Sequence, residues 1–172
     1  MEEVPINLLL LILDGIEINV FNINVLLSLL SVLLLLFSSA FISASEVAYF
    51  SLTSTDLEEI DNQNVRGLLK NPNELLATIL IANNFINVGI VVISAYLTSI
   101  AIVFPEGSAL EFIFQVVIIT SLLVLFGEIM PKVYANNNPV PFSIRMSKVL
   151  VFLRKAFYPL VWLLVITLKF LD

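Results

Sequence analysis

Long stretches without charge dominate the pattern of hydrophobic and polar positions along this chain. Residues 18–45 and 75–105 contain no charged side chain. They predict helices over residues 23–50 and 77–104. Each helix is longer than the minimum of about 20 apolar residues needed to cross a bilayer. A third apolar stretch, residues 112–133, predicts another spanning helix. The pattern therefore predicts three transmembrane helices.

The composition supports lipid as the solvent of this protein. Of its 172 residues, 59% are hydrophobic and 13% are charged, whereas about a quarter of the residues in a soluble domain are charged. We predict an all-α membrane protein with an extracytosolic segment (1–22), a three-span domain (23–133) and a juxtamembrane helical segment (134–172). The acidic start, Glu2–Glu3, argues against a cleaved signal peptide.

The positive charges set the predicted orientation. Two of the eight Lys and Arg residues lie in the first loop, residues 52–76, and the other six lie at or after the end of the third span. They are Arg66, Lys70, Lys132, Arg145, Lys148, Arg154, Lys155 and Lys169. The N-terminal segment and the turn at Pro105–Gly107 have none. The positive-inside rule therefore places the N-terminus outside and the C-terminus in the cytosol.

Two segments are expected to form cytosolic or juxtamembrane helices. In the first loop, Thr55 and Glu58 have the spacing of a capping box, and Pro72 interrupts the chain before the second span. Residues 149–171 are apolar but interrupted by charges, which favours an amphipathic helix on the membrane surface, kinked or restarted at Pro159. A fourth span with snorkelling charges is the alternative.

The missing residue types narrow the chemistry. The chain has no cysteine and no histidine, so a bound metal would be a hard cation on oxygen ligands, such as Mg²⁺, Ca²⁺ or Na⁺. A serine hydrolase would lack a histidine base, with only Lys132 to replace it, and we expect no enzyme activity. The net charge of −6 argues against nucleic acid as a partner.

Each predicted span carries a polar cluster. The candidate metal-site residues are Ser43 in the first span, Asn84 and Asn87 in the second, and Gly127 and Glu128 in the third. The candidate accessory residues are Ser39, Ser45, Glu46, Asn83, Pro131 and Lys132. At 1.5 Å per residue, Ser43, Asn84 and Glu128 all lie roughly 10 Å inside the cytosolic boundary. Antiparallel helices can therefore bring a hydroxyl, an amide and a carboxylate together.

The third motif adds a further oxygen. Pro131 has no N–H, so the carbonyl of Gly127 loses its helical partner and is free beside the Glu128 carboxylate. Glycine also allows a close approach of another helix. A carboxylate at this depth costs about 2.5–3.5 kcal/mol and generally marks a functional site.

Structural explanations compete with a metal site. Serines in membrane helices often serve packing, and asparagines often hydrogen-bond neighbouring helices. Glu46 could be solvated at the membrane interface. Glu128 could instead pair with Lys132, one helical turn away.

Three motifs together resemble the membrane domain of the CorB/CorC and cyclin M (CNNM) family of magnesium transporters. They are Ile42–Tyr49, Ile79–Asn87 and Gly127–Lys132, and the resemblance extends from about Asn24 to the C-terminus. It implies a homodimer in the bacterial inner membrane that exports Mg²⁺, with Na⁺ coupling in some members. It also implies direct ligands at the positions of Ser43, Asn84 or Asn87, and Glu128, with backbone oxygens near Gly127.

The chain departs from the family pattern in one respect. Such proteins usually continue into nucleotide-binding cystathionine-β-synthase modules, which this sequence lacks, and we expect that it is a truncated form with its regulatory modules missing. Some proteins similar to this family are linked to gliding motility. A membrane anchor or scaffold for cytosolic domains or for a motility or secretion complex is therefore the alternative to transport.

Overall fold

Three long helices form the body of the protein. The computed structural model describes residues 17–18, 22–104 and 109–169. Helices α1 (Ile23–Phe50), α4 (Pro72–Ala101) and α5 (Leu110–Asn137) are each long and apolar enough to cross a membrane. The predicted all-α membrane fold with three spans is confirmed.

Shorter elements complete the chain. They are the strands β1 (Glu17–Ile18) and β2 (Ile102–Val103) and the helices α2 (Ser54–Glu59), α3 (Gln63–Leu69), α6 (Pro139–Ala156) and α7 (Tyr158–Lys169). Most of the extracytosolic segment 1–22 and the turn at Pro105–Gly107 lie outside the described residues.

The apolar side chains of the spans face outward. In the most apolar window of each span, only 28%, 28% and 11% of the residues are buried within the protein. Large side chains such as Leu34, Phe37 and Phe85 are exposed, whereas Ser39, Ser43 and Ser94 are buried. This reversal of the usual arrangement is stable only if lipid covers the outer surface. The structure is that of a multi-pass membrane protein.

The second span differs from its predicted boundaries at both ends. Helix α4 begins at Pro72 rather than at residue 77, because proline lacks only an N–H that the first helical turn does not use. It ends at Ala101 rather than at residue 104, because Ile102 and Val103 pair in antiparallel register with Ile18 and Glu17.

The third span is not a regular α-helix. Helix α5 contains two π-helical segments, Phe114–Ile119 and Leu123–Ile129, and continues beyond the predicted end at residue 133. The second segment ends just before Pro131, whose missing N–H prevents a regular helical hydrogen bond. Such π segments occur frequently at functional sites.

The capping box of α2 lies two residues earlier than predicted. The Asp56 backbone N–H donates to Thr53 Oγ1 at 3.2 Å, and the Thr53 N–H donates to Asp56 Oδ2 at 2.8 Å. The predicted pair, Thr55 and Glu58, is wrong, although it has the same spacing. The chain offers two consecutive boxes of this spacing, and the helix begins at the first.

A hydrophobic core lies at the predicted cytosolic end. Leu68 of α3, Leu75 of α4 and Leu150 of α6 are fully buried in it. The Tyr49 hydroxyl of α1 donates to the Ser143 carbonyl of α6 at 2.9 Å. Helix α6 is thereby attached to the spans.

Helix α7 leaves this core in a new direction. The chain bends by 82° between α6 and α7, at the position where Pro159 predicts a kink or restart. By length and composition the bent pair could count as a fourth span. A surface position for residues 149–171 stays a prediction.

The cap of α2 predicts a pH dependence. Side-chain and then backbone hydrogen bonds from Thr53 hold the pKa of the Asp56 carboxyl below its usual range. A lowered folded-state pKa stabilises the helix above the ordinary aspartate pKa, and this stability is lost as the pH falls through the folded-state value. We therefore expect the hydrogen-exchange protection of α2, measured relative to the intrinsic exchange rate at each pH, to fall on acidification, and we expect this fall to be absent in Asp56→Asn.

Helix α3 provides an internal control. Its cap is the neutral Asn62, whose side chain accepts from the N–H groups of Asn64 and Val65 at 3.0 and 3.2 Å. An equal loss of exchange protection in α2 and α3 would contradict a specific role of the Asp56 charge.

Candidate metal centre

A chain of hydrogen bonds connects the three spans at one level. The Ser39 hydroxyl of α1 donates to Asn87 Oδ1 of α4 at 2.8 Å. The Asn87 amide nitrogen then donates to Glu128 Oε1 of α5 at 3.1 Å. Ser39 is fully buried, and Asn87 and Glu128 are half-buried. A hydroxyl, an amide and a carboxylate from three helices therefore meet, but the hydroxyl and the amide are those of Ser39 and Asn87 rather than those of Ser43 and Asn84.

Oxygen atoms crowd the inner part of this cluster. Ser39 Oγ also lies 3.0 Å from Asn83 Oδ1. A serine hydroxyl has one proton, so it can satisfy only one of the two amide oxygens at a time. The other amide oxygen then faces a lone pair of the Ser39 hydroxyl, unless that amide is rotated so that its nitrogen faces Ser39. A bound cation would compensate such an oxygen-rich arrangement.

Ser43 lies one turn beyond Ser39 on the same face of α1. Its side chain is 1% exposed, and among the described residues its hydroxyl has no hydrogen-bond partner. A buried polar group without a partner costs about 1–3 kcal/mol. Ser45 differs, because its hydroxyl donates to the Phe41 carbonyl of its own helix at 2.7 Å. Of these two serines, Ser43 has the free ligand atom.

The structure distinguishes between the asparagines of α4. Asn83 and Asn87 face Ser39, whereas Asn84 is exposed. A helical turn has 3.6 residues, so side chains three or four positions apart share a face and an immediate neighbour does not. Sequence analysis left Asn84 and Asn87 as equal candidates, and the described contacts place Asn87 against Glu128.

Lys132 pairs with Glu46 and not with Glu128. Lys132 Nζ lies 3.0 Å from Glu46 Oε2, and both side chains are about one-third exposed, at 36% and 40%. The alternative in which Lys132 neutralises Glu128 is therefore wrong, since the lysine side chain extends to α1. Among the described residues, none forms a salt bridge with Glu128.

Gly127 permits the close contact between α1 and α5. A Cβ atom at this position would lie 3.3 Å from Ser39 Oγ and 3.7 Å from Ser39 Cβ. The missing side chain lets the backbone beside Glu128 approach Ser39. This contact fixes the spacing of the cluster.

The ligand types restrict the kind of metal. Within the described ranges, no three Asp, Glu, His or Cys side chains are grouped so that they could hold a metal ion. The cluster offers one carboxylate with neutral hydroxyl, amide and backbone oxygens, which is a ligand set for a hard cation.

Comparison with known proteins assigns the chain to a family. Residues 29–172 match the family described as the cyclin M transmembrane N-terminal domain. The chain belongs to the cyclin M family. Family membership indicates a multi-pass membrane protein.

A curated bacterial relative supports the assignment to the cyclin M family. The chain is 33% identical over 137 residues to a UPF0053 protein of Haemophilus influenzae. The match covers 76% of this chain and 31% of the relative. The chain thus spans about a third of the length of the relative that it matches.

Ser39 has a larger part in this cyclin M domain than the sequence predicts. Sequence analysis gave it an accessory position, but it contacts both Asn83 and Asn87 and faces Gly127. The signal for this role was the spacing of Ser39, Ser43 and Glu46, which lie on one helical face.

Substituting the glycine tests the close contact. We expect Gly127→Ala to destabilise the protein by about 1 kcal/mol, because Ser39 Oγ, which contacts Asn83 and Asn87, must give way to a Cβ atom at 3.3 Å. Thermal unfolding in detergent measures the effect. Gly67→Ala is the matched control, since no atom lies within 4 Å of the added Cβ.

The control should change stability in the opposite direction. An alanine in a helix interior is favoured over glycine by about 0.5–1 kcal/mol. If Gly127→Ala were as stable as Gly67→Ala, the close approach at Ser39 would not constrain the site.

Proposed function

We propose that this protein transports Mg²⁺ across the bacterial inner membrane through a site between α1, α4 and α5. The observation that carries the proposal is the Glu128 carboxylate, which lies within a spanning helix beside neutral oxygen ligands and has no salt bridge to any described residue. A carboxylate within a membrane is costly, and such residues generally mark ion pathways.

The proposed ligands are Ser43, Asn87, Glu128 and a backbone oxygen near Gly127. Ser43 supplies a buried hydroxyl that lacks a partner in the described part of the chain. Asn87 supplies its amide oxygen, which accepts from the Ser39 hydroxyl at 2.8 Å, and Asn83 Oδ1 lies 3.0 Å from the same hydroxyl.

The number of charged ligands favours Mg²⁺ over Ca²⁺. Mg²⁺ retains several waters and is generally bound through one or two carboxylates, whereas Ca²⁺ takes six to eight oxygen ligands. One carboxylate with a few neutral oxygens therefore fits a partly hydrated Mg²⁺. We propose export as the direction and Na⁺ as a possible coupling ion, following the family resemblance.

The proposed assembly is a homodimer surrounded by lipid. Because the chain covers 31% of its curated relative, regulatory modules in the cytosol would belong to the rest of such a protein. We propose no nucleic-acid partner and no enzyme activity.

One observation favours a scaffold as the second candidate. The Ser39–Asn87–Glu128 hydrogen bonds join three helices and could serve only to hold them together. A scaffold would still hold the helices together with a neutral amide in place of the Glu128 carboxylate. An ion site would lose its charged ligand and would no longer function.

Ion-dependent stability separates the two functions. We expect millimolar Mg²⁺ to raise the melting temperature of the purified protein in detergent more than Na⁺ or Ca²⁺ does. At about 100 times the dissociation constant, a ligand stabilises the native state by about 2.7 kcal/mol. Glu128→Gln should abolish this stabilisation, and Glu111→Gln, an exposed carboxylate of the same helix, should retain it.

Failure of this experiment has a clear meaning. A wild-type protein whose melting temperature does not respond to Mg²⁺, or a response that survives in Glu128→Gln, would exclude the proposed site. The scaffold function would then be favoured.

A pair of asparagine variants tests the choice of ligand. We expect Asn87→Leu to weaken Mg²⁺ stabilisation by at least about tenfold in apparent affinity, since loss of one good polar ligand costs about 1.4 kcal/mol or more. Asn84→Leu, at the exposed neighbouring position, should bind Mg²⁺ as the wild type does. The reverse order of effects would assign the ligand to Asn84.

A further inference from the structure

A second polar cluster lies toward the opposite end of the same helices. The Gln115 side-chain nitrogen of α5 donates to Ser94 Oγ at 2.9 Å and to the Val91 carbonyl at 3.2 Å. The Thr98 hydroxyl donates to Gln115 Oε1 at 3.4 Å. Ser94 and Thr98 are almost completely buried, at 1% and 3% exposure. We call Ser94, Thr98 and Gln115 the outer cluster.

The outer cluster shares a helical face with the candidate metal centre. Along α4, the positions 87, 91, 94 and 98 are separated by three or four residues and therefore lie on one face. On α5, Gln115 lies in the first π segment and Glu128 in the second. Two polar layers thus follow the same seam between α4 and α5.

An apolar layer separates the two polar layers. It consists of Val32 of α1, Ile90 of α4 and Leu123 of α5, which are 8%, 1% and 6% exposed and pack together. Ile90 lies between Asn87 and Ser94 along α4, and Leu123 lies between Gln115 and Glu128 along α5. Each span contributes one side chain to this layer.

We propose that Val32, Ile90 and Leu123 form the closed outer gate of the ion path, and that the outer cluster is a hydrated position for the cation after it passes the gate. This inference rests on the proposed transport function and on the predicted orientation, which places Gln115 toward the outside. A narrow apolar constriction excludes water and thereby blocks ions. On the outer side of the constriction, the oxygens of the outer cluster serve as neutral ligands for the departing cation.

The π segments provide a means of opening. A π turn contains one residue more than an α turn, so its conversion rotates the flanking side chains by about 100° around the helix axis. Leu123 is the first residue of the second π segment. A local change there would move its side chain out of the apolar layer.

Proteoliposomes containing the full chain test the gate. We expect Leu123→Ser to raise the flux of Mg²⁺ by at least about tenfold over wild type, because a hydroxyl lowers the barrier to wetting. Leu125→Ser is the matched control, since Leu125 is 43% exposed on the outer surface of the same helix. Its flux should equal that of the wild type. If Leu123→Ser does not fold, Val32→Thr replaces it with a nearly isosteric change.

A second substitution tests the outer cluster. Gln115→Leu, introduced into Leu123→Ser, should lower the raised flux again by about tenfold, because the cation loses its polar ligand outside the gate. Stabilisation of the same proteins by Mg²⁺ should be unchanged, since Glu128 and Asn87 are retained. A flux that Gln115→Leu leaves unchanged would reduce Gln115 to a structural link between α4 and α5 and overturn its proposed role.

The two measurements separate failure of the gate from failure of the transport proposal. If Mg²⁺ stabilises the gate variant but its flux does not exceed that of Leu125→Ser, the gate inference is overturned and the metal centre stands. If Mg²⁺ stabilises wild type no more than Glu128→Gln, the transport proposal itself fails.

Discussion

A carboxylate inside an apolar span is the constraint around which this structure is arranged. Glu128 cannot be left alone in lipid without a cost of about 2.5–3.5 kcal/mol. The amide nitrogen of Asn87 donates to it at 3.1 Å. Ser39, on a third helix, orients that amide by donating to its oxygen. Gly127 lets the helices approach closely enough for these short side chains to meet. The same contacts therefore determine both the packing of the spans and the chemistry of the site.

Charge is separated in a consistent way around this centre. Lys132 is directed to Glu46 at 3.0 Å, which leaves Glu128 with a neutral donor among the described residues. Both side chains of this ion pair are more than one-third exposed, so screening by water makes the pair a weak contributor to stability. Its effect on the site is to keep an ammonium group away from Glu128. A carboxylate with neutral neighbours retains its attraction for an external cation.

Sequence patterns predicted the number and extent of the spans better than the direction of the polar residues around each helix. The first span was predicted at Ile23–Phe50 and is found there, because uncharged length is visible in a sequence. The choice of Asn87 over Asn84, and the contact of Ser39, depend on how each helix is rotated against its neighbours. Lys132 has two acidic residues within reach, and only the packing of α1 against α5 decides between them.

Difference infrared spectroscopy tests the central claim most directly, because it observes the carboxylate itself. Addition of Mg²⁺ to the wild-type protein should shift the carboxylate stretching bands, and Glu128→Gln should remove that difference signal while Glu111→Gln retains it. Identical Mg²⁺-induced spectra for wild type and Glu128→Gln would show that the ion does not contact Glu128. That result would contradict the account of a metal centre between the three spans.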